Sequence, residues 1–330
     1  MNHFINRLKK KNNPLVSVIV PTYNQGDFIS QSIESVLIQT FQDFEVIIIN
    51  DFSTDATLSI LEKYQKRFGK KIRVINHTYN YGISGMQRTY NEAFQASKGR
   101  LIAILEGDDY WPKNKLEIQI PVFDNPKVGL SYGDWIMTDT SGKEIELRTY
   151  DKFNLKYLDN KPIGSITEKL FATFRFNIAS STVMIRKNTL ILVGGFSRNS
   201  SYPFVDIPTY LILSLKAEFK YIRAILGYYR RQKSSTWIKF VQKSQTGGKY
   251  ELFNLLKGFS KKHNLNINLD YEKVKYLIYK YNNKKLSLFL NQSLYNENFL
   301  NRIVLSLLRI NYLIKNFLYP FRKNEDNNNE

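Results

Sequence analysis

The 330-residue sequence contains no cysteine. That absence removes disulfides, thiolate metal sites and cysteine nucleophiles, and it fits a cytoplasmic location. Histidine is nearly as scarce. His3, His77 and His263 are the only three and lie far apart, so a histidine-cluster zinc site is not expected. No run of about 18 uncharged apolar residues occurs, which argues against a spanning helix. Residues 1–13 are polar and basic and lack the apolar core of a secretory signal. Acidic residues are under-represented, at 29 Asp and Glu against 48 Lys and Arg, giving a net charge of +19. Such an excess suits an anionic partner: a phosphorylated substrate, an acidic membrane surface or nucleic acid. No nucleic-acid-binding motif accompanies the charge, so nucleic acid is not the expected partner.

What is present is a regular alternation. Apolar runs at residues 16–20, 44–49, 72–75 and 101–105 read as short buried strands. Between them, apolar residues recur at helical spacing: Ile29, Ile33, Val36 and Leu37 after a capping Asp27; Leu58, Leu61, Tyr64 and Phe68; then a helix over about 85–97. Strand and helix in strict alternation predict an α/β fold with a mostly parallel sheet and crossover helices. In such sheets ligands bind beyond the carboxyl ends of the strands. The residues standing there are Thr22 to Asn24, Asp51, Asn80 to Gly82, and Asp108 with Asp109.

The fourth of these ends is the most acidic. Residues 101–105 run straight into Glu106-Gly107-Asp108-Asp109, followed by Tyr110-Trp111-Pro112. Carboxylates at the end of a buried strand are costly without a positive partner, and hard oxygen ligands suit Mg²⁺ or Mn²⁺. Asp108 and Asp109 can equally favour the start of the helix that follows. That helix is expected to run to about Phe123. A strand over 128–137, a hairpin turn at 139–143, a short helix within 150–175, a strand over 177–185, a helix over 207–215 and a closing strand over 221–231 complete this half.

The sequence predicts four segments: a basic lead-in (1–14), an α/β domain (15–238, dividing near 112), a basic amphipathic helical region (239–323) and a solvated tail (324–330). From 241 to 323 there are fifteen Lys and Arg against four Asp and Glu. Apolar faces interrupted by basic residues suit an anionic membrane surface, or helices packed on the catalytic domain.

The successive motifs Val16-Ser17-Val18-Ile19-Val20-Pro21-Thr22-Tyr23-Asn24, Asn50-Asp51-Phe52-Ser53-Thr54-Asp55 and Glu106-Gly107-Asp108-Asp109, with Gly194-Gly195-Phe196 and Asp206 downstream, resemble those of the family 2 glycosyltransferases of GT-A (Rossmann-like) fold. The resemblance covers about residues 15–235 and implies that 15–238 is a catalytic domain, with a nucleotide-sugar-binding half (15–112) and an acceptor-binding half (113–238), performing an inverting transfer of a single sugar. The donor would be a nucleotide-sugar, with UDP expected. The acceptor would be a glycan or lipid-linked oligosaccharide hydroxyl of a bacterial surface polysaccharide. The enzyme would sit peripherally on the inner face of the cytoplasmic membrane.

The resemblance also implies roles. Pro21, Thr22, Tyr23 and Asn24 would line base and ribose, Asp51 would read the base, and Asn80, Gly82, Arg88, Glu106, Gly107 and Asp108 would complete the nucleotide-sugar site. Asp108, with Glu106 or Asp109, would hold a divalent Mn²⁺ or Mg²⁺. Asp206 would be the general base, although an aspartate there can also be a helix cap. Trp111, Trp135, Arg230 and Arg231 are candidates for the acceptor side; for the two tryptophans a core role is the plainer alternative. Asn50, Phe52, Glu106 and Val205 depart from the family's usual residues. A non-catalytic member that binds glycan or nucleotide is therefore the alternative function.

Overall fold

The computed structural model describes residues 13–149, 158–167, 178–199, 202–232, 235–243 and 249–265. All belong to the larger of the two units into which the chain divides, Met1–Val274. The first half is built as the alternation predicts. Strands β1 (Val16–Thr22), β2 (Phe44–Asn50), β3 (Ile72–Asn76) and β4 (Leu101–Ile104) are separated by helices α1 (Ile29–Leu37), α2 (Thr57–Phe68) and α3 (Gly82–Ala96). The four strands pair in parallel in the order β3-β2-β1-β4. Their side chains are apolar on both faces, because helices cover both. Val18, Val20, Val46 and Ile48 pack in one apolar cluster, and Ile19, Ile47 and Ile49 in the other.

Beyond β4 the sheet turns antiparallel. β7 (Met184–Arg186) lies between β4 and β5 (Val128–Thr138), antiparallel to both. β5 then pairs antiparallel with β6 (Glu144–Arg148) and parallel with β8 (Glu218–Arg230). The turn between β5 and β6 forms because the Asp139 carboxylate accepts bonds from Ser141 N (2.8 Å), Ser141 Oγ (2.6 Å) and Lys143 N (3.0 Å). Helices α4 (Lys115–Gln119), α5 (Lys187–Leu192), α6 (Asp206–Ser214), α7 (Thr236–Lys243) and α8 (Lys249–Lys262) complete the described elements.

Several expectations are corrected. The helix after Pro112 is α-helical for only five residues and then tightens into a 3₁₀ turn, Ile120–Asp124. Pro121 has no N–H to donate and crowds the preceding turn. The strand expected over 177–185 shrinks to three residues, because Ser180–Thr182 form a 3₁₀ turn. Asp27 makes no cap bond; the turn before α1 closes through the Gln25 carbonyl, which accepts from Phe28 N and Ile29 N. The expected short helix within 150–175 falls largely outside the described residues.

The start of the basic C-terminal region packs inward. Leu255, Leu256 and Phe259 of α8 are buried in the same apolar cluster as Leu130, Tyr132 and Phe219, so the core of the catalytic unit continues past residue 239. The rest of that region, from residue 266, lies outside the described residues. Among the described residues no helix is long and apolar enough to cross a membrane.

Candidate functional site

The loops after β1, β2, β3 and β4 are tied together at the carboxyl edge of the parallel strands. Asp51 N donates to the Thr22 carbonyl (2.9 Å) and Gly107 N to the Pro21 carbonyl (3.2 Å). Asn24 clamps the loop after β2: its N donates to Ser53 Oγ (2.9 Å), and its Oδ1 accepts from Thr54 N (2.8 Å). Thr22 is buried, and its hydroxyl donates to Gln25 Oε1 (2.7 Å). Gly107 is required by proximity, since a Cβ there would lie 2.1 Å from Gln25 Oε1 and 2.7 Å from Thr22 Oγ1. Tyr23 stands out from this edge, 45% exposed.

Asn50 does work that an aspartate could not. Its amide donates to Asn76 Oδ1 (3.2 Å) while its carbonyl oxygen accepts from Ser53 N (3.2 Å). Asp51 is buried and fully engaged. Oδ1 meets His77 Nδ1 (2.7 Å) and Tyr81 N (3.0 Å), and Oδ2 accepts from Gly82 N (3.0 Å) and Asn80 Nδ2 (3.2 Å). These four contacts fill the lone-pair positions of a carboxylate and dock Asp51 onto the start of α3. His77 continues from Asp51 to Glu92 (2.8 Å). Arg88 bonds Glu92 (2.6 Å) and lies 4.2 Å over the Tyr81 ring. Its guanidinium is thus held on α3.

The acidic end of β4 splits into one inward-held carboxylate, Asp109, and two partly open ones, Glu106 and Asp108. Asp109 is buried, accepting from Arg230 N (2.9 Å) and from the Ser181 hydroxyl. Each of its oxygens accepts one bond from the protein, which holds the Asp109 carboxylate inward. Trp111 is corrected. It is 3% exposed and bonded through Nε1 to the Ser181 carbonyl (2.7 Å), so it offers no face to a sugar. Trp135 is likewise buried, edge-on to Tyr229 at 5.5 Å. Arg230 is an internal clip rather than a phosphate contact. Its Nε donates to the Asp108 carbonyl (2.9 Å), Nη1 to the Thr140 carbonyl (2.8 Å) and Nη2 to Gln31. Arg231 is exposed at the end of β8, with its N bonded to the Thr138 carbonyl.

Glu106 and Asp108 remain. Asp108 accepts at Oδ2 from Gln232 Nε2 (2.7 Å) and is also bonded by Gln25. Burial lifts its carboxyl to about 6, although Arg230, Gln232 and Gln25 pull the other way. Glu106 is lifted further, to about 8, by burial and by the charges of Asp108 and Asp206, against a bond from the Tyr90 hydroxyl. The longer reach of glutamate here meets Tyr90 on α3.

Asp206 is the first residue of α6. Burial raises its carboxyl to about 6, and its Oδ1 accepts from Ile207 N (2.7 Å). Its side chain is set among protein atoms while the residue keeps a partial opening to solvent, as expected of a group lining a crevice. Its charge acts on Glu106, Tyr90 and Tyr202. The Gly-Gly-Phe turn helps place it. Gly194 and Gly195 have φ of 83° and 89°, and a Cβ on Gly195 would sit 2.4 Å from Asn91 Oδ1. Asn91 in turn bonds Phe196 N and the Phe196 carbonyl, and Thr209 of α6 accepts from Ser197 N.

Sequence reasoning thus named Glu106, Asp108 and Asp206, which the fold brings together, and missed Tyr90, Gln232 and Ser181. Among the described residues no three His, Asp or Glu side chains are grouped to hold a metal by themselves. The donor set still suits a cation that keeps water and phosphate oxygens as ligands. Glu106 and Asp108 are two hard-oxygen carboxyls whose charged form burial disfavours, a penalty that a cation beside them would offset, and Mg²⁺ takes only one or two protein carboxylates.

Residues 17–187 match the model of Glycosyl transferase family 2. The chain is 31% identical over 226 residues to the Escherichia coli UDP-Glc:alpha-D-GlcNAc-diphosphoundecaprenol beta-1,3-glucosyltransferase WfaP, covering 66% of this chain and 77% of that one. It is 35% identical over 157 residues to the putative teichuronic acid biosynthesis glycosyltransferase TuaG of Bacillus subtilis. That match covers 47% of this chain and 61%, less than two thirds, of the relative. In fold it is similar to the mannosyltransferase PcManGT of Pyrobaculum calidifontis, solved with GDP-Man and Mn²⁺, at a TM-score of 0.58 and 15% identity over 93% of this chain and 88% of that one. The parallel strands, the loops gathered at their carboxyl ends and a family match through more than half of the sequence lead to one conclusion: the chain belongs to the family 2 glycosyltransferases, with the GT-A fold.

Proposed function

We propose that this chain transfers one sugar from a UDP-sugar to a hydroxyl of a lipid-linked glycan, with inversion, in the assembly of a cell-surface polysaccharide. One observation carries the proposal: Glu106, at the carboxyl edge of the parallel strands, lies within reach of the charges of both Asp108 and Asp206, and all three carboxyls are raised by burial. The WfaP relative, a UDP-Glc:alpha-D-GlcNAc-diphosphoundecaprenol beta-1,3-glucosyltransferase, supports the donor and acceptor classes.

The chemistry follows from the two sides of the crevice. Asp206 is the acceptor-side base. It takes the proton of the attacking hydroxyl as the new glycosidic bond forms, and a carboxyl near 6 is ionised at neutral pH yet more basic than an ordinary aspartate. The hydroxyl oxygen attacks the anomeric carbon, the bond to the diphosphate breaks on the opposite face, and the configuration inverts. Asp108 and Glu106 would hold a divalent cation, which supplies positive charge to the departing diphosphate when bound. Gln232 and Gln25 orient Asp108, and Tyr90 orients Glu106.

The test is turnover of UDP-Glc, UDP-Gal and UDP-GlcNAc with a synthetic GlcNAc-diphospho-lipid, the product's anomeric configuration being read by NMR. A product of inverted configuration, lost on Asp206→Asn, is expected. A retained configuration would overturn the inversion. Binding of UDP-sugars without any turnover would favour a non-catalytic role. As a companion measurement, a donor present with Mn²⁺ at 100 times its Kd should stabilise the fold by about 2.7 kcal/mol.

A further inference from the structure

The loop from Phe196 to Asp206 is held differently at its two ends. Its beginning is fastened by hydrogen bonds: Asn91 grips Phe196, and Thr209 accepts from Ser197 N. Its last stretch, from Tyr202 to Val205, runs straight into Asp206 and is packed. Tyr202 and Val205 are buried, and Phe204 lies half-buried against the same apolar core. The ring that closes this stretch comes from a later element. Phe240 of α7 meets Phe204 edge-to-face at 5.4 Å and Tyr202 at 6.2 Å, while Tyr202 and Phe204 meet each other at 5.5 Å. Edge-to-face is a favoured geometry for aromatic rings, so the three lock one another just before Asp206.

The cluster bears on Asp206 itself. Burial and the charge of Asp206 lift the Tyr202 phenol well above its usual range, which sets this ring system beside the carboxyl. The Asp206 carboxyl stands at about 6 because burial disfavours its charged form. The other groups that feel its charge are Glu106 at the end of β4 and Tyr90 of α3. Both phenols stay neutral near pH 7, Glu106 is present in every variant below, and Lys239, beside Phe240 on α7, is exposed. The start of α7 is anchored apart from the Phe240 ring. Ser235 N donates to the Gln232 carbonyl (3.2 Å), Ser235 Oγ accepts from Ile238 N (3.3 Å), and Gln232 reaches Asp108 (2.7 Å). Removing the ring therefore leaves the partner of Asp108 in place.

We infer that Phe240 is a positioning residue for the base: through Tyr202 and Phe204 its ring holds Asp206 in place and shields the carboxyl from water. This rests on the proposed role of Asp206 and adds to it a residue from beyond the segment 17–187 that matches the family model. A base that shifts by a fraction of an ångström, or that water reaches, loses rate while donor binding stands.

The experiment uses the full chain with Mg²⁺, the UDP-sugars UDP-Glc, UDP-Gal and UDP-GlcNAc, and the synthetic GlcNAc-diphospho-lipid. The pH profile of kcat/KM, the kcat, the melting temperature and the calorimetric affinity for UDP are measured for wild type, Phe240→Ala, Phe240→Leu and Leu256→Ala. Leu256 of α8 is buried in the same apolar core and controls for general loosening. In Phe240→Ala water reaches the carboxyl and favours its charged form, so the acid limb is expected to move about one pH unit below its wild-type place. Its kcat at neutral pH should fall about ten-fold or more, with UDP affinity unchanged. Phe240→Leu, which keeps much of the apolar volume, should move the limb less. Leu256→Ala should lower the melting temperature and leave the limb where it is. An unmoved limb in Phe240→Ala overturns the inference alone, as does an equal shift in Leu256→Ala or a loss of UDP affinity as large as the loss of kcat. If Phe240→Ala does not fold, the limb of Phe240→Leu decides in the same way. Turnover that survives Asp206→Asn overturns the base and this inference together, and a wild-type chain that turns over none of the donors overturns the function on which both rest.

Discussion

At the scale of single residues, the proposed role of Asp206 as base would set activity against stability. Its carboxyl stands at about 6 against an ordinary 3.8 because it is buried. The native state therefore holds the proton more tightly than the unfolded chain does, so stability falls as pH rises from about 4 through about 6 and stays reduced above. The full two-unit difference would correspond to about 3 kcal/mol, and partial access to solvent reduces it. Asp206→Asn keeps an oxygen to accept from Ile207 N without the buried charge. It is expected to raise stability by about 1–2 kcal/mol at pH 8, to change it little at pH 4, and to lower kcat by 100-fold or more. Urea unfolding at the two pH values checks the first part. Because the base must be ionised, wild-type kcat/KM is expected to rise about ten-fold per pH unit below about 6 and to level off above. A profile flat from pH 5 to 8 would exclude Asp206 as the base.

At the scale of elements, the site depends on how the end of β8 is fastened to the end of β4. Arg230 is buried. It holds the Asp108 carbonyl and, through its N, the Asp109 carboxylate, while Ser181 from the turn before β7 closes the other oxygen of Asp109. Arg230→Met keeps the length and the apolar stem but strips the donors from the Asp108, Asp139 and Thr140 carbonyls. Leaving buried acceptors unpaired and removing the cation beside Asp108 should destabilise the fold by about 2–4 kcal/mol, measured as a lower urea midpoint at unchanged slope. A loss within 0.5 kcal/mol would show that the clip is dispensable.

This clip is also where the sequence stopped being readable. The alternation of β1 to β4 with α1 to α3 was legible because each element carries its own period, and the acid cluster was legible because charge at the end of an apolar run stands out. Whether an acid faces the crevice or the protein is decided by partners 70 to 120 residues away, such as Ser181 and Arg230 for Asp109. Nothing in the local pattern distinguishes Asp108 from its neighbour. Trp111 failed for the same reason: its Nε1 is satisfied by the Ser181 carbonyl, which makes a core position possible for an aromatic that looked like a sugar platform. The shortened helix before β5, by contrast, was written in Pro121. The unusual residues Asn50 and Glu106 each gained a physical reason only from their neighbours: Asn76 and Ser53 for the first, Tyr90 for the second.

At the scale of the whole molecule, the net charge of +19 is unevenly spread. Residues 241–323 carry fifteen basic and four acidic side chains, so this quarter of the sequence supplies eleven of the nineteen excess charges. The beginning of that stretch, α8, turns Leu255, Leu256 and Phe259 into the core of the catalytic unit and leaves Lys257, Lys261 and Lys262 exposed. A lysine or arginine near an anionic bilayer contributes about 1 kcal/mol, so even a fraction of these residues at one surface would hold the protein there. The attraction is screened within about 10 Å at 0.1 M salt and about 3 Å at 1 M. In flotation with vesicles, the full-length chain is expected to rise with membranes containing about 30% anionic lipid at 0.1 M NaCl, to be released by about 0.5 M, and to ignore vesicles of neutral lipid. Binding to neutral and anionic vesicles alike would show apolar insertion instead. Absence of binding to either would leave the basic excess to serve the diphosphate donor and acceptor alone. The proposed lipid-linked acceptor would give such an association its purpose: it would confine enzyme and acceptor to one surface, so that the low affinity of the site for a single sugar hydroxyl is offset by the raised local concentration.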